Sequence, residues 1–119
     1  MYKIEFYEDR EGKCDVKTFI FDLKQKRAKS KDTRINFNKV VAYIDLLEKV
    51  GTSVGLPVVR HLEGEIWELR PLRNRIMFAY CDENTFVLLH HFKKATLKSP
   101  RVEIDKAKKE LEDYMRRRG

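Results

Sequence analysis

Apolar and polar positions alternate at the start of the chain. Tyr2, Ile4 and Phe6 fall on one side of residues 2–7, and Lys3, Glu5 and Tyr7 on the other, which predicts a first strand. The period then lengthens. Val16, Phe19, Ile20 and Leu23 recur at helical spacing and predict a helix over residues 16–28, capped by Asp15. Phe37, Val40, Val41, Ile44 and Leu47 predict a second helix that starts at a capping Asp32, reaches Val50 and is closed by Gly51. Only residues 29–31 separate the two, so an antiparallel helical hairpin is expected. Residues 51–57 hold two Gly and one Pro and read as a loop, and His61 is placed in a loop as a structural residue. A period of two returns over residues 65–70, 73–81 and 85–92. These read as three strands of an antiparallel meander, separated by turn signals at Pro71–Leu72 and at 82–84. Ser99 as N-cap and Pro100 at the first helical position open a last helix, with Ile104, Ala107, Leu111 and Tyr114 on one face.

With no linker, repeat or low-complexity tract, residues 1–119 read as a single domain. The expected fold class is α+β, in the order β-α-α-β-β-β-α. An antiparallel sheet carries the two-helix hairpin on one face and is followed by a C-terminal helix. The opposite face of the sheet is expected to stay at least partly open as a working surface.

Charge narrows the choice of partner. Twenty-six Lys and Arg against nineteen Asp and Glu leave a net charge of +7, which favours an anionic partner, nucleic acid first. Cys14 and Cys81 lie far apart and make neither a disulfide framework nor a zinc spacing; reduced thiols in a cytoplasm are the expectation. The N-terminal residues have no apolar signal core and no run approaches a membrane span, so no membrane association is expected. Phosphate-loop, dinucleotide and serine-elbow motifs are absent, and the carboxylates form no two-metal cluster, so neither metal nor cofactor is expected.

The candidate chemistry lies in IWELRPLRNRIMFAYCDENTFVLLHHFKK, residues 66–94, where basic side chains sit on strands. Alternation puts Trp67 and Leu69 on one face with Ile76, Phe78 and Tyr80. It puts Arg70, Arg73 and Arg75 together on the other, around one tight connection. On the last strand His90 and Phe92 share a face and Leu89 and His91 take the opposite one, though both faces hold apolar residues. Guanidinium groups hold phosphate bidentately and stay charged. Beside a phosphodiester they stabilise the charge that grows as a 2′-hydroxyl attacks. His90 is the conventional proton carrier, and Lys93 or Lys94 takes that role if neighbouring cations lower its pKa. The candidate catalytic set is therefore Arg70, Arg75, His90, Lys93 and Lys94. Arg73, Phe92 and Lys98 are candidate RNA contacts, with Phe92 available to stack a base. Glu68 reads as a partner of Arg70, and the terminal Arg116, Arg117 and Arg118 as a solvated helix end.

The ordered set HLEGEIWELRPLRNRIMFAY, FVLLHHFKKATLKSP and EIDKAKKELEDY resembles the phage-derived HigB-like branch of the RelE/ParE toxin superfamily. That resemblance implies a RelE-like fold and the toxin of a type II toxin–antitoxin pair. It implies an mRNA interferase that cuts mRNA at the ribosome without a metal. Arg70 and Arg75 match positions of phosphate-binding or catalytic arginines, Lys93 and Lys94 the basic end of the last strand, and His90 a Leu-Leu-His pattern. A tyrosine usual near the site has no counterpart, with Ser99 and Pro100 in that neighbourhood. The implied partners are a helix-turn-helix, HigA-like antitoxin, the ribosome with its mRNA, and operator DNA through the antitoxin. Two alternatives share the fold: a ParE-type toxin acting on DNA gyrase, and a non-catalytic module that binds RNA or an antitoxin.

Overall fold

The computed structural model describes residues 1–95 and 99–118. Strand β1 (Lys3–Phe6) leads into helices α1 (Asp15–Lys26) and α2 (Lys31–Val50). A 3-10 turn (Gly51–Val54) then feeds strands β2 (Val59–Glu63), β3 (Ile66–Leu69), β4 (Asn74–Asp82) and β5 (Thr85–Lys93), and helix α3 (Arg101–Arg118) closes the chain. The five strands form one sheet in the order β1-β5-β4-β3-β2. Strands β2 to β5 make the antiparallel meander, and β1 lies parallel to β5 at the edge. This is an α+β, RelE-like arrangement with one strand more than expected. The extra strand, β2, places His61 in the sheet rather than in a loop, where its Nε2 meets the Gly64 carbonyl at 2.8 Å. Its sequence VRHLE shows no period-two pattern because it is an edge strand whose pairing slips between His61 and Glu63.

The helix starts differ by small shifts that follow from capping. Cys14 rather than Asp15 is the N-cap of α1, and Asp15 is its first helical residue, turned to receive the backbone N–H of His91 at 2.8 Å. At α2 the Ser30 hydroxyl accepts from the Thr33 N–H at 3.2 Å, and Asp32 sits in the first turn, where the helix dipole favours an acid. Gly51 ends α2 with φ 73°. A β-carbon there would meet the Tyr2 ring at 2.7 Å, so the position needs glycine twice over, for its backbone and for its space.

Two cores flank the sheet. The helical hairpin covers Leu69, Ile76, Phe78, Phe86 and Leu88 with Val16, Val40 and Leu47. The opposite face is not open along this length. Ile66, Met77, Ala79, Val87 and Leu89 pack there with Ala107 of α3. Strands β4 and β5 are therefore buried on both sides, which is why neither showed a clean polar face. A bulge sharpens the point: Met77 pairs with His90 and Phe78 with Leu88, so Leu89 is the extra residue. Beyond it the alternation inverts. Leu89 and His90 both face α3, and His91 turns to the hairpin, where its ring stacks on Phe19 at 4.0 Å.

Only Ala107 and Asp113 of α3 are buried, and polar contacts dock the helix. Arg101 holds both oxygens of Glu63 at 2.7 Å, Tyr7 donates to Asp113 at 2.7 Å, and Arg118 reaches Asp82 at 2.6 Å. Glu63, bonded by Arg101 and Lys108, and Asp82, bonded by Arg118 and the Asn84 N–H, are both held down at a pKa of about 2. Arg118, and Arg117 through the Glu8 carbonyl, are thus docking residues rather than a free helix end, while Arg116 pairs with Glu112 of its own helix. No described helix is long and apolar enough to cross a membrane.

Replacing Gly51 by Ala should cost about 2 kcal/mol, since the side chain meets both an unfavourable φ and the Tyr2 ring. Thermal unfolding should show a Tm several degrees lower, and an unchanged Tm would refute the close approach of Tyr2.

Candidate nucleic-acid interface

Strand β3 carries the residue around which the basic side chains gather. Glu68 faces the α3 side of the sheet beside the start of α3, in register with Met77, and its side chain is 1 % exposed. Its pairing with Arg60 on β2 brings one guanidinium to it, Nε to Oε2 at 3.2 Å. Arg70, two residues on, reaches the same oxygen at 3.4 Å, and Arg75 at the start of β4 lies 3.9 Å from Oε1. The Ser99 hydroxyl, just ahead of α3, donates to Oε1 at 2.5 Å. One carboxylate therefore faces three guanidiniums, and the cluster keeps an excess of positive charge. A buried carboxylate is tolerated only with such pairing.

The three arginines differ in what they can do. Arg75 is buried, and its Nη1 donates to the carbonyls of Leu72 and Asn74 at 2.9 and 2.8 Å. Burial pulls its pKa below the ordinary guanidinium value, opposed by the Glu68 charge. Its first task is to hold the β3–β4 turn. Arg60 and Arg70 are partly exposed, at 37 % and 20 % of their side-chain surface, so their outer nitrogens can meet an anion. Lys93, at the end of β5, is exposed and Lys94 half-buried, and the Lys94 N–H bonds the Arg73 carbonyl at 2.6 Å. That bond ties the basic end of β5 to the turn Arg75 holds.

Several expected site residues sit elsewhere. Arg73 does not join Arg70 and Arg75. It leaves the turn toward the hairpin side and lines a groove there with Lys93 and α2. The alternation rule failed because the turn, with Leu72 at φ 58°, breaks the strand between Arg70 and Asn74. His90 is fully buried under α3, with Nδ1 on Glu110 and Nε2 on Glu103 at 3.0 Å. His90 thus fastens α3 to β5 and offers no ring nitrogen to a substrate in this arrangement. Phe92 packs against the apolar cluster under α3, with its ring centre 6.3 Å from that of His90, so only part of the ring is available to stack. Lys98 lies outside the described residues.

Glu68 as the organiser, Arg60 and Ser99 were missed by sequence reasoning. The spacing of Glu68 and Arg70 on one face was the available signal. Arg60 had none, because β2 was not recognised. Among the described residues no group of three or more His, Cys, Asp and Glu is placed to hold a metal ion.

The family model described as "Phage derived protein Gp49-like (DUF891)" matches residues 22–112. The chain belongs to this Gp49-like family. The matched span runs from α1 to α3 and so includes Glu68 and every described basic residue of the cluster. No curated protein matches the chain.

Converting Glu68 of this Gp49-like protein to Gln should destabilise it by about 3 kcal/mol, because three guanidiniums then converge on a neutral amide. Urea unfolding measures the loss, and a change below about 0.5 kcal/mol would mean that the arginines do not depend on this carboxylate.

Proposed function

We propose that this Gp49-like protein is the toxin of a type II toxin–antitoxin pair, of the HigB-like kind, and cuts mRNA on the ribosome. The observation that carries the reading is the cationic cluster at one end of the sheet, in which Glu68 holds Arg60, Arg70 and Arg75 together. An ordinary solvated strand end has no use for three convergent guanidiniums. A phosphodiester does, since bidentate donors match its oxygens. The resemblance of residues 61–80 and 86–100 to RelE-like toxins points the same way.

In this reading the RNA supplies its own nucleophile. The 2′-hydroxyl attacks the adjacent phosphorus, the bond to the 5′-oxygen breaks, and negative charge builds on the non-bridging oxygens. Arg70, with Lys94 just past β5, would stabilise that charge, and cations already in place need little reorganisation as it grows, whereas Lys93 faces the hairpin side. Arg75 and Glu68 act as positioning residues. The 2′-hydroxyl proton would pass to a group at the exposed end of the cluster. His90 is not that group while Glu103 and Glu110 hold it. Guanidinium and ammonium charge fills the part a metal ion plays in other nucleases, so the reaction is proposed to be metal-independent. A helix-turn-helix antitoxin would be the neutralising partner.

Inducing the protein in bacterial cells should arrest translation and leave new mRNA 5′ ends inside translated codons. Arg70→Ala should lower cutting by roughly a hundredfold while keeping the fold, the scale expected for losing one donor to a developing oxyanion. A gyrase-directed toxin would instead give DNA damage with intact mRNA. That outcome, or full cutting by a folded Arg70→Ala variant, would overturn the reading.

A further inference from the structure

A second feature flanks the same end of the sheet, on the hairpin side. Between the first turns of α2 and the β3–β4 turn runs a groove of about 590 Å³, lined by Asp32, Ile35, Asn36, Leu72, Arg73, Asn74 and Lys93. Its walls combine three chemistries. Leu72 and Ile35 are apolar yet 48 % and 45 % exposed. Asn36 and Asn74 are joined, Nδ2 of Asn74 donating to Oδ1 of Asn36 at 2.7 Å. Arg73 and Lys93 are exposed cations, and Asp32 is an exposed carboxylate.

Leu72 is the informative residue. Its φ of 58° lies in the left-handed region, which a bulky side chain rarely enters, and no other described non-glycine residue has a positive φ. The fold sustains that cost, with Arg75 bonding the Leu72 carbonyl, and the strain serves no core, since the side chain is directed outward. A strained turn that presents an apolar side chain beside a second one, between two cations, fits a flat heterocycle attached to a phosphate.

We propose that this groove is a subsite for one unstacked nucleobase of the RNA, with the adjoining phosphate on Arg73 and Lys93. The inference rests on the RNA-cleaving reading above and adds the place where sequence is read. Leu72 and Ile35 cover the base faces as apolar side chains do in other nucleobase pockets. The carboxylate of Asp32 repels phosphate, so it sets the polarity of the groove: backbone toward Arg73 and Lys93, base edge toward Asp32. A carboxylate accepts hydrogen bonds from an exocyclic amino group and has nothing to give a carbonyl. The groove therefore favours bases with an exocyclic amino group, guanine above all because its N1–H and N2–H both donate, over uracil, whose one N3–H sits between two carbonyls.

The test uses the full chain, ribosomes programmed with mRNA randomised near the stop position, and sequencing of the cut ends. The double variant Ile35→Ser, Leu72→Ser should cut about tenfold more slowly, the loss of one base's apolar contact. Its base preference at one position near the cut should flatten. Asp32→Asn should admit uracil there. Arg73→Ala with Lys93→Ala should slow cutting evenly across sequences, as phosphate contacts carry no sequence information. A matching Tm shows that each variant is folded, and Leu72→Gly, which relieves the left-handed strain, replaces the double variant if it is not. Wild-type cutting with no base preference at any position would overturn the inference, as would unchanged rate and preference in the folded variant. The groove would then be free for a protein partner, and the RNA-cleaving reading would stand. No cutting by the wild type would overturn that reading itself.

Discussion

The carboxylate of Glu68, 1 % exposed, faces guanidiniums from β2, β3 and β4 and a hydroxyl from the segment leading to α3. Like charges do not gather without a counterion. Burying Arg75, and crowding the partly exposed Arg60 and Arg70 beside it, is tolerable here only because all three share one buried anion. The pairing sets more than local charge. Arg75, anchored at Glu68, bonds the carbonyls of Leu72 and Asn74 and so fixes the turn whose shape creates the groove beside α2. The cluster on one face and the groove on the other are thus two consequences of one ion network.

The rest of the architecture limits where such a network can exist. The hairpin buries one side of β4 and β5, and α3 buries the other as far as Ile66, Met77 and Leu89. Only the sheet end beyond the start of α3 is left for charged side chains. The bulge at Leu89 decides what falls there. It rotates His90 under α3, between Glu103 and Glu110, and delivers Lys93 to the hairpin side. A histidine that pattern alone would assign to proton transfer becomes part of a polar dock. α3 is held largely by such contacts, including Arg101 with Glu63 and Tyr7 with Asp113.

Much of this was legible in the sequence. The helical period of residues 37–47, the Gly51 stop and the alternation through Ile76, Phe78 and Tyr80 depend on local chemistry, and all appear in the fold. What was not legible depends on contacts distant in the chain. β2 lacks alternation because it is an edge strand. The face covered by α3 looked open because the apolar set of that helix is small. A bulge leaves no mark in composition, yet it shifts the alternation, which puts Leu89 on the same side as His90 instead of opposite it. The candidate site divided accordingly: Arg70 and Arg75 meet at Glu68, while Arg73 and His90 lie elsewhere.

The cluster exists only if Arg60, Arg70 and Arg75 share one anion in solution. Arginine side-chain NMR of the ¹⁵N-labelled protein addresses this directly, because each guanidinium Nε–H is a separate reporter. The Nε–H signals of these three residues should be protected from exchange with water, and all three should shift together in the Glu68→Gln protein while Arg34 and Arg116 stay in place. If only one of the three responds, or if all three exchange as fast as the surface arginines, the carboxylate does not gather them.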